Sequence, residues 1–443
     1  MAEFRRAKEQ PSEAGSRHSE QVAVAEVPWD RRRDGRVLLL LFLVVWGVYL
    51  ATASYTINQI NDSRVTAQSA WSLGTQGTFA LPEEWPDYRM YVEGTDGQTY
   101  TDRFPGPVLW GTPFYAVTEW VSPRGEVAHP WLLNYAPAGV AAATASALAV
   151  AVWFAVYRRI ASRRLALLAA AALAFSTGMW SVAADALWTH GPGILMLGLG
   201  VLAMSSHRYA GSGAGFAAAI LMRPQLAVVP AVVGIWEGVR RRSLRPVVVV
   251  GVVSAMGLAA MSLYSQVLFG TWLPIAGYTP GKVEAVATTG AVDTLERIAK
   301  TMAHPQRGIF LYTPVLLLLL PGLARGWRVA PDWVKSASVA GVVYLVVQLR
   351  SNVWHGGGNY FGYRLALETL VLASPLLLLV YQRFIAPVGL HRMVFAVVLL
   401  GSVVWHGLGA TVMETGVRGI DGVAHWQENL EEFCELRPDL CDP

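Results

Sequence analysis

SYTINQINDSRVTAQSAW (54–71) and GQTYTDRFPGPVLWGTPFY (97–115) frame a long polar and aromatic interval near the start of a largely apolar chain. Asp62, Arg64, Asp102 and Arg103 all fall within it. What surrounds the interval decides the fold class. Val37–Ala53 runs for 17 residues without a charge, and comparable apolar runs recur as far as His406. A helix of about 20 apolar residues spans a hydrocarbon core of about 30 Å. The chain is 443 residues long, 53% hydrophobic and 15% charged, too apolar and too regularly so for two or three soluble domains. The expected fold is an all-α polytopic membrane protein with a long first extracytoplasmic loop at 58–133.

The formal charge of +4 does not point to nucleic acid. The basic residues cluster in short links between apolar runs, where they orient a membrane protein. No zinc-ligand spacing, phosphate-binding Walker loop or dinucleotide fingerprint occurs. The 36 residues before the first span carry no cleavage signal and read as a disordered cytoplasmic tail. Arg31, Arg32, Arg33 and Arg36 hold that end at the inner surface.

Charge then assigns the crossings. Spans are expected at about 37–56, 134–156, 165–181 and 187–204, then in GSGAGFAAAILMRPQLAVVPAVVGIWEGVRRR (211–242). As one helix, that last stretch would carry its terminal arginines outside. Two short helices broken at Arg223-Pro224 return them to the cytoplasm, because proline removes a donor and restricts the residue before it. Broken helix at membrane depth is tolerated where it faces protein or a polar cavity, which places Arg223 at such a cavity. Further spans are expected at about 247–268, 309–323, 334–350, 364–381 and 392–410, with a surface helix in DTLERIAKTMAHPQ (293–306). The total is about 11 crossings, with 107–121 a re-entrant or surface helix. This arrangement puts all six basic links inside and forms one transmembrane domain over 37–410. The tail 411–443 falls outside. Its Cys434 and Cys441 could form a disulfide or remain free thiols.

The same topology gathers ionisable and aromatic residues on the outer face. Charged groups near hydrocarbon are costly and usually functional. Asp62 is placed to take a proton from an acceptor hydroxyl, with Asp102 a second carboxylate that could act as base, orient an acceptor or bind a cation. As a bland alternative, Asn61-Asp62-Ser63 is also good turn chemistry. Arg223, Arg307 and Arg364 are candidate phosphate ligands, because a guanidinium forms paired, charge-assisted bonds to phosphate oxygens. Arg64, Arg103, His190, Tyr264, His355, Tyr360 and Tyr363 are candidate substrate contacts. Glu368 stands one turn beyond Arg364 and could pair with it.

Six pieces, NDSR (61–64), DGQTYTDRFPGP (96–107), LMRPQ (221–225), YSQVLFG (264–270), HPQRGIFLYTP (304–314) and WHGGGNYFGYRLALE (354–368), resemble in order and spacing the GT-C superfamily of membrane glycosyltransferases. The resemblance covers 37 to about 381 and is nearest to the dolichyl-phosphate-mannose protein mannosyltransferases. It implies a GT-C-like fold in a bacterial plasma membrane, N-terminus cytoplasmic and active site extracytoplasmic. It implies a polyprenyl-phosphate sugar donor and transfer, usually inverting, to a glycan, lipid or protein acceptor. Asp62 matches the family's base, and Arg223, Arg307 and Arg364 are candidates for holding the donor phosphate. The paired acidic residues of some relatives are here Asn61-Asp62. No cofactor is required by this scheme, although Asp62 and Asp102 could hold a divalent cation. Mannose and arabinofuranose are both reasonable sugars. Competing readings are a transporter or flippase of a lipid-linked sugar or other anionic lipid, a ligase acting on a lipid diphosphate, and a purely structural membrane protein.

Overall fold

The computed structural model describes residues 29–56, 61–123, 127–277, 281–305, 307–357, 360–412 and 434, side chains at 61 and 281–283 excepted. The first helix, α1 (Arg31–Thr52), starts six residues before the apolar run. Asp30 caps it, accepting from the amides of Arg32 and Arg33. One turn on, Asp34 is buried and binds Arg158 at 3.0 Å and Arg163 at 2.5 Å, which ties this end to the neighbouring helices. The expected disordered tail, 1–36, is therefore helical over 31–36, and 1–28 lie outside the described residues. Of 411–443 they include 411, 412 and Cys434, which is disulfide-bonded; Cys441 lies outside them.

The polar interval is a folded layer. It contains α2 (Asn61–Gln76), a hairpin of β1 (Tyr91–Glu93) and β2 (Thr99–Thr101), and α3 (Pro105–Val121). The strands are antiparallel, with Tyr91 opposite Thr101 and Glu93 opposite Thr99. The layer has its own core, in which Trp71 and Trp85 stack at 5.4 Å beside Val108, Tyr115 and Tyr135. α3 begins at Pro105, where a missing amide proton costs nothing, and packs between α2, α4 and α7.

The main body begins with α4 (Ala136–Tyr157), followed by α5 (Arg163–Phe175), α6 (His190–Ser205), α7 (Tyr209–Met222), α8 (Val228–Arg241) and α9 (Leu244–Phe269). α4 is rich in alanine, so neighbouring backbones approach closely; it is the central helix and touches α1, α3, α5 and α6. α7 ends where expected. Arg223 is extended, φ −161° and ψ 114°, before Pro224, and α8 restarts at Val228. Two short helices follow, α10 (Gly281–Thr288) and the amphipathic α11 (Ala291–Ala303), the latter where a surface helix was expected.

The expected continuous span at 309–323 is not one helix. A single turn, α12 (Ile309–Tyr312), gives way to two 3-10 stretches at Pro314–Leu318 and Leu320–Gly322 before α13 (Leu323–Val329). Pro314 and Pro321 withhold the amides a continuous α-helix would need. The chain then forms α14 (Asp332–Ser351), α15 (Leu367–Val380) and α16 (Gly389–Thr411).

Among the described residues, five helical segments are long and apolar enough to cross a membrane: α1, α4, α9, 367–385 and α16. α6 and α7 are shorter apolar helices. α1, α9 and α16 turn Leu40, Val44, Val252, Leu263, Val397 and Leu400 outward, each more than half exposed. Apolar faces of this extent belong against lipid rather than water. The architecture is all-α and polytopic, with the hairpin as its β element among the described residues.

Candidate active site

Asp62 lies in the first turn of α2, ten residues beyond the end of α1. Its Oδ1 is 3.0 Å from Arg103 Nη1 and its Oδ2 is 2.9 Å from Arg364 Nη2. The hairpin supplies the first of these partners. Its register carries the chain past Thr101, and the Asp102 amide bonds to Met90 O at 3.0 Å, which fixes the Asp102-Arg103 step. Arg103 then folds back on its neighbour: Nε and Nη2 reach Asp102 Oδ1 at 2.8 and 2.6 Å. A single guanidinium thus bridges Asp62 and Asp102. Gly277 closes in from the other side; a Cβ there would stand 2.8 Å from Asp102 Cα.

Arg364 arrives from the far end of the chain. It leaves a turn in which Gly356, Gly357 and Gly362 have φ of 73°, 107° and 99°, values that L side chains rarely adopt. Gly356 also passes within 3.0 Å of Arg364 Nε at its Cβ position. The guanidinium lies over the Trp188 ring at 4.5 Å and near Tyr360 at 5.5 Å, a cation–π arrangement that holds its plane.

Arg223 projects from the α7–α8 break. It donates to Tyr344 Oη at 3.0 Å and to Thr189 Oγ1 at 2.7 Å. Behind it, Glu368 Oε1 meets His190 Nδ1 at 2.7 Å, both fully buried. Glu368 therefore pairs across the bundle with His190 rather than with Arg364 one turn away.

These groups surround a cavity of about 920 Å³. Its charged lining is Asp62 and Asp102 against Arg89, Arg103, Arg223 and Arg364, a formal excess of two positive charges. Trp188, Thr189, Gln348, Gly356 and Gly357 also line it, with Thr66, Gln225, Ser351 and Asn352. An apolar side comes from Leu273, Ile275 and Val286.

The other expected residues are placed elsewhere. Arg307 is buried, donates to Tyr360 O and Gly362 O, and lies over the Tyr360 ring at 4.2 Å, so it secures the turn that carries Arg364. Tyr360 in turn donates to His355 O, and His355 Nδ1 accepts from the Gly357 amide. Tyr363 is buried with Thr313 Oγ1 at 2.9 Å, and Tyr264 bonds Arg103 O at 3.5 Å. Arg64 lies over Trp131 at 5.5 Å. His190 is buried behind the wall. None of these seven is in the cavity lining.

Trp188, Thr189, Gln348 and Arg89 are cavity residues that sequence reasoning did not single out as ligands. Trp188 stands two residues before His190, but nothing in its spacing relates it to Arg364.

Among the described residues no group of three His, Cys, Asp or Glu side chains is gathered that could hold a metal ion. The two carboxylates that could have shared a cation are both turned toward Arg103.

No protein-family model and no curated protein matches the chain. Among solved structures it is similar to ArnT from Cupriavidus metallidurans bound to undecaprenyl phosphate, at 15% identity and a TM-score of 0.46. That alignment covers 85% of this chain and 75% of the other.

Proposed function

We propose that this protein is a GT-C-type glycosyltransferase. It moves a sugar from a polyprenyl-phosphate donor to a hydroxyl of an envelope glycan, lipid or protein, at the outer face of a bacterial plasma membrane. The observation that carries the reading is Asp62 held between Arg103 and Arg364 on the wall of a cavity that Arg223 also lines. The size suits a sugar phosphate, since small-molecule sites occupy about 300–1,000 Å³. The excess positive charge suits a phosphodiester, and guanidinium groups bind its oxygens directionally.

In this scheme Asp62 takes the proton of the acceptor hydroxyl. The acceptor oxygen forms its bond to the anomeric carbon as the carbon–oxygen bond to phosphate breaks, from opposite faces, so the configuration inverts. The electron pair leaves with the lipid phosphate. Arg223 and Arg364 meet the growing negative charge as cations already in place when it develops. No metal is needed for any step. The sugar remains open between mannose and arabinofuranose.

The test is transfer from a panel of radiolabelled polyprenyl-phosphate sugars by wild type and Asp62→Asn in membranes. Released lipid phosphate and labelled product from wild type alone support the reading. Normal transfer by Asp62→Asn removes Asp62 as base. Donor binding without sugar release would favour a flippase, which a broken helix and an intramembrane arginine would also serve.

A further inference from the structure

The two oxygens of Asp62 are held in unlike ways. Oδ1 faces Arg103, whose other nitrogens are committed to Asp102 at 2.6 and 2.8 Å and whose side chain is 6% exposed. Oδ2 faces Arg364, which reaches it with one nitrogen at 2.9 Å. Arg364 rests on an aromatic face rather than on a second carboxylate, and its Nε is buried without a hydrogen-bond partner among the described residues. A buried N–H left unmade is costly, so this guanidinium has an unmet demand for an acceptor. Both faces of the arrangement open on the same cavity.

Resting on the glycosyltransferase reading, we infer that Asp102 and Arg103 form a fixed clamp on Asp62 Oδ1, and that Arg364 is an exchangeable partner, which the donor phosphate draws off Oδ2. Asp62 thus occupies the phosphate's place on Arg364 until donor arrives. Exchange conserves charge: one anion on Arg364 is replaced by another. It satisfies Arg364 Nε through a second phosphate oxygen, since guanidinium and phosphate match two bonds at a time. It also releases Oδ2 from Arg364, and this is the oxygen that takes the acceptor proton. Donor therefore binds before acceptor can react, and Asp102 is a positioning residue acting through Arg103.

The experiment measures undecaprenyl phosphate binding to the full chain in nanodiscs, with no acceptor and no turnover. Wild type, Asp62→Asn, Arg364→Gln and the double variant form a cycle, with Arg364→Met as a second replacement should Arg364→Gln fail to fold. Removing the competing carboxylate should tighten binding about tenfold in wild type and leave it unchanged when Arg364 is absent, since contacting residues couple and independent ones add. Equal tightening in both backgrounds means bulk electrostatics and overturns the exchange. Unchanged or weaker binding in Asp62→Asn overturns it too. Both of those outcomes leave the phosphate-binding reading standing. Failure of wild type to bind undecaprenyl phosphate at all removes that reading and the exchange together. In steady state, Asp102→Asn should lower kcat while donor KM holds; a fall in stability alone, with both constants unchanged per folded molecule, would overturn its positioning role.

Discussion

His190 and Glu368, 178 residues apart, meet at 2.7 Å in the interior beside the cavity wall, each with its side chain 1% exposed or less. Tyr344 contacts both Glu368 and Arg223, so the buried carboxylate sits behind a cavity-facing guanidinium. Removing one member of a buried pair leaves the other uncompensated. Glu368→Ala should destabilise the fold by about 3 kcal/mol or more. Thermal unfolding in nanodiscs checks this. A melting temperature equal to wild type would mean that Glu368 contributes nothing to the packing of α6 on α15.

Trp188 lies under the Arg364 guanidinium at 4.5 Å. A partly desolvated cation–π contact contributes about 0.5–2 kcal/mol. Trp188→Leu should raise donor KM about two- to thirtyfold, and Trp188→Phe should restore part of it. If Trp188→Leu leaves donor KM at the wild-type value, the ring does not hold Arg364 for phosphate.

Asp62 and Asp102 face the same arginine and are expected to differ in rank. General base catalysis contributes about a hundred- to ten-thousandfold, so Asp62→Asn should lose at least about a hundredfold in kcat. Asp102→Asn, one residue removed from the reacting oxygen, should lose about tenfold. The reverse ranking in a side-by-side transfer assay would exchange their roles.

The hairpin that presents Asp102 has a pH signature. Burial first, and then the adjacent Asp96 carboxylate, pushes Tyr100 up to about 12. The Gln98 amide and the Tyr100 hydroxyl hold Asp96 below its usual range. A raised tyrosine supports the hairpin fully below about pH 10, its ordinary value, and that support is lost as pH climbs towards 12. A lowered carboxyl supports it above the usual carboxylate range and fails as pH falls. The phenolate difference spectrum between wild type and Tyr100→Phe should therefore titrate near 12. A midpoint near 10 would mean that Tyr100 is neither buried nor bonded to Asp96 in solution.

Hydropathy and charge made the helical body legible because lipid imposes one requirement on every span. Each must satisfy its own backbone with about 20 apolar residues, and basic links mark one side. The break at Arg223-Pro224 was legible for a local reason, a missing amide and a crowded neighbour. The same reasoning failed at 309–323, where two prolines lie in a run whose hydropathy alone suggests one helix. The polar interval looked like a loop because α2 is not apolar. Its helix is stabilised by tertiary contacts with α3 and the hairpin, which periodicity does not register.

The amino-acid sequence by itself determined that the chain lives in a bilayer, where its carboxylates and arginines are concentrated, and that Arg223 breaks a helix. Only the tertiary structure decided which of them meet. Asp62 and Arg364 are 302 residues apart, and Arg307 ends on the backbone of the turn that carries Arg364 rather than in the cavity lining. A side chain's type is local, but its partner depends on how α2, the hairpin and the glycine turn before α15 pack together. That packing sets a few ångströms on which the charge pairing depends.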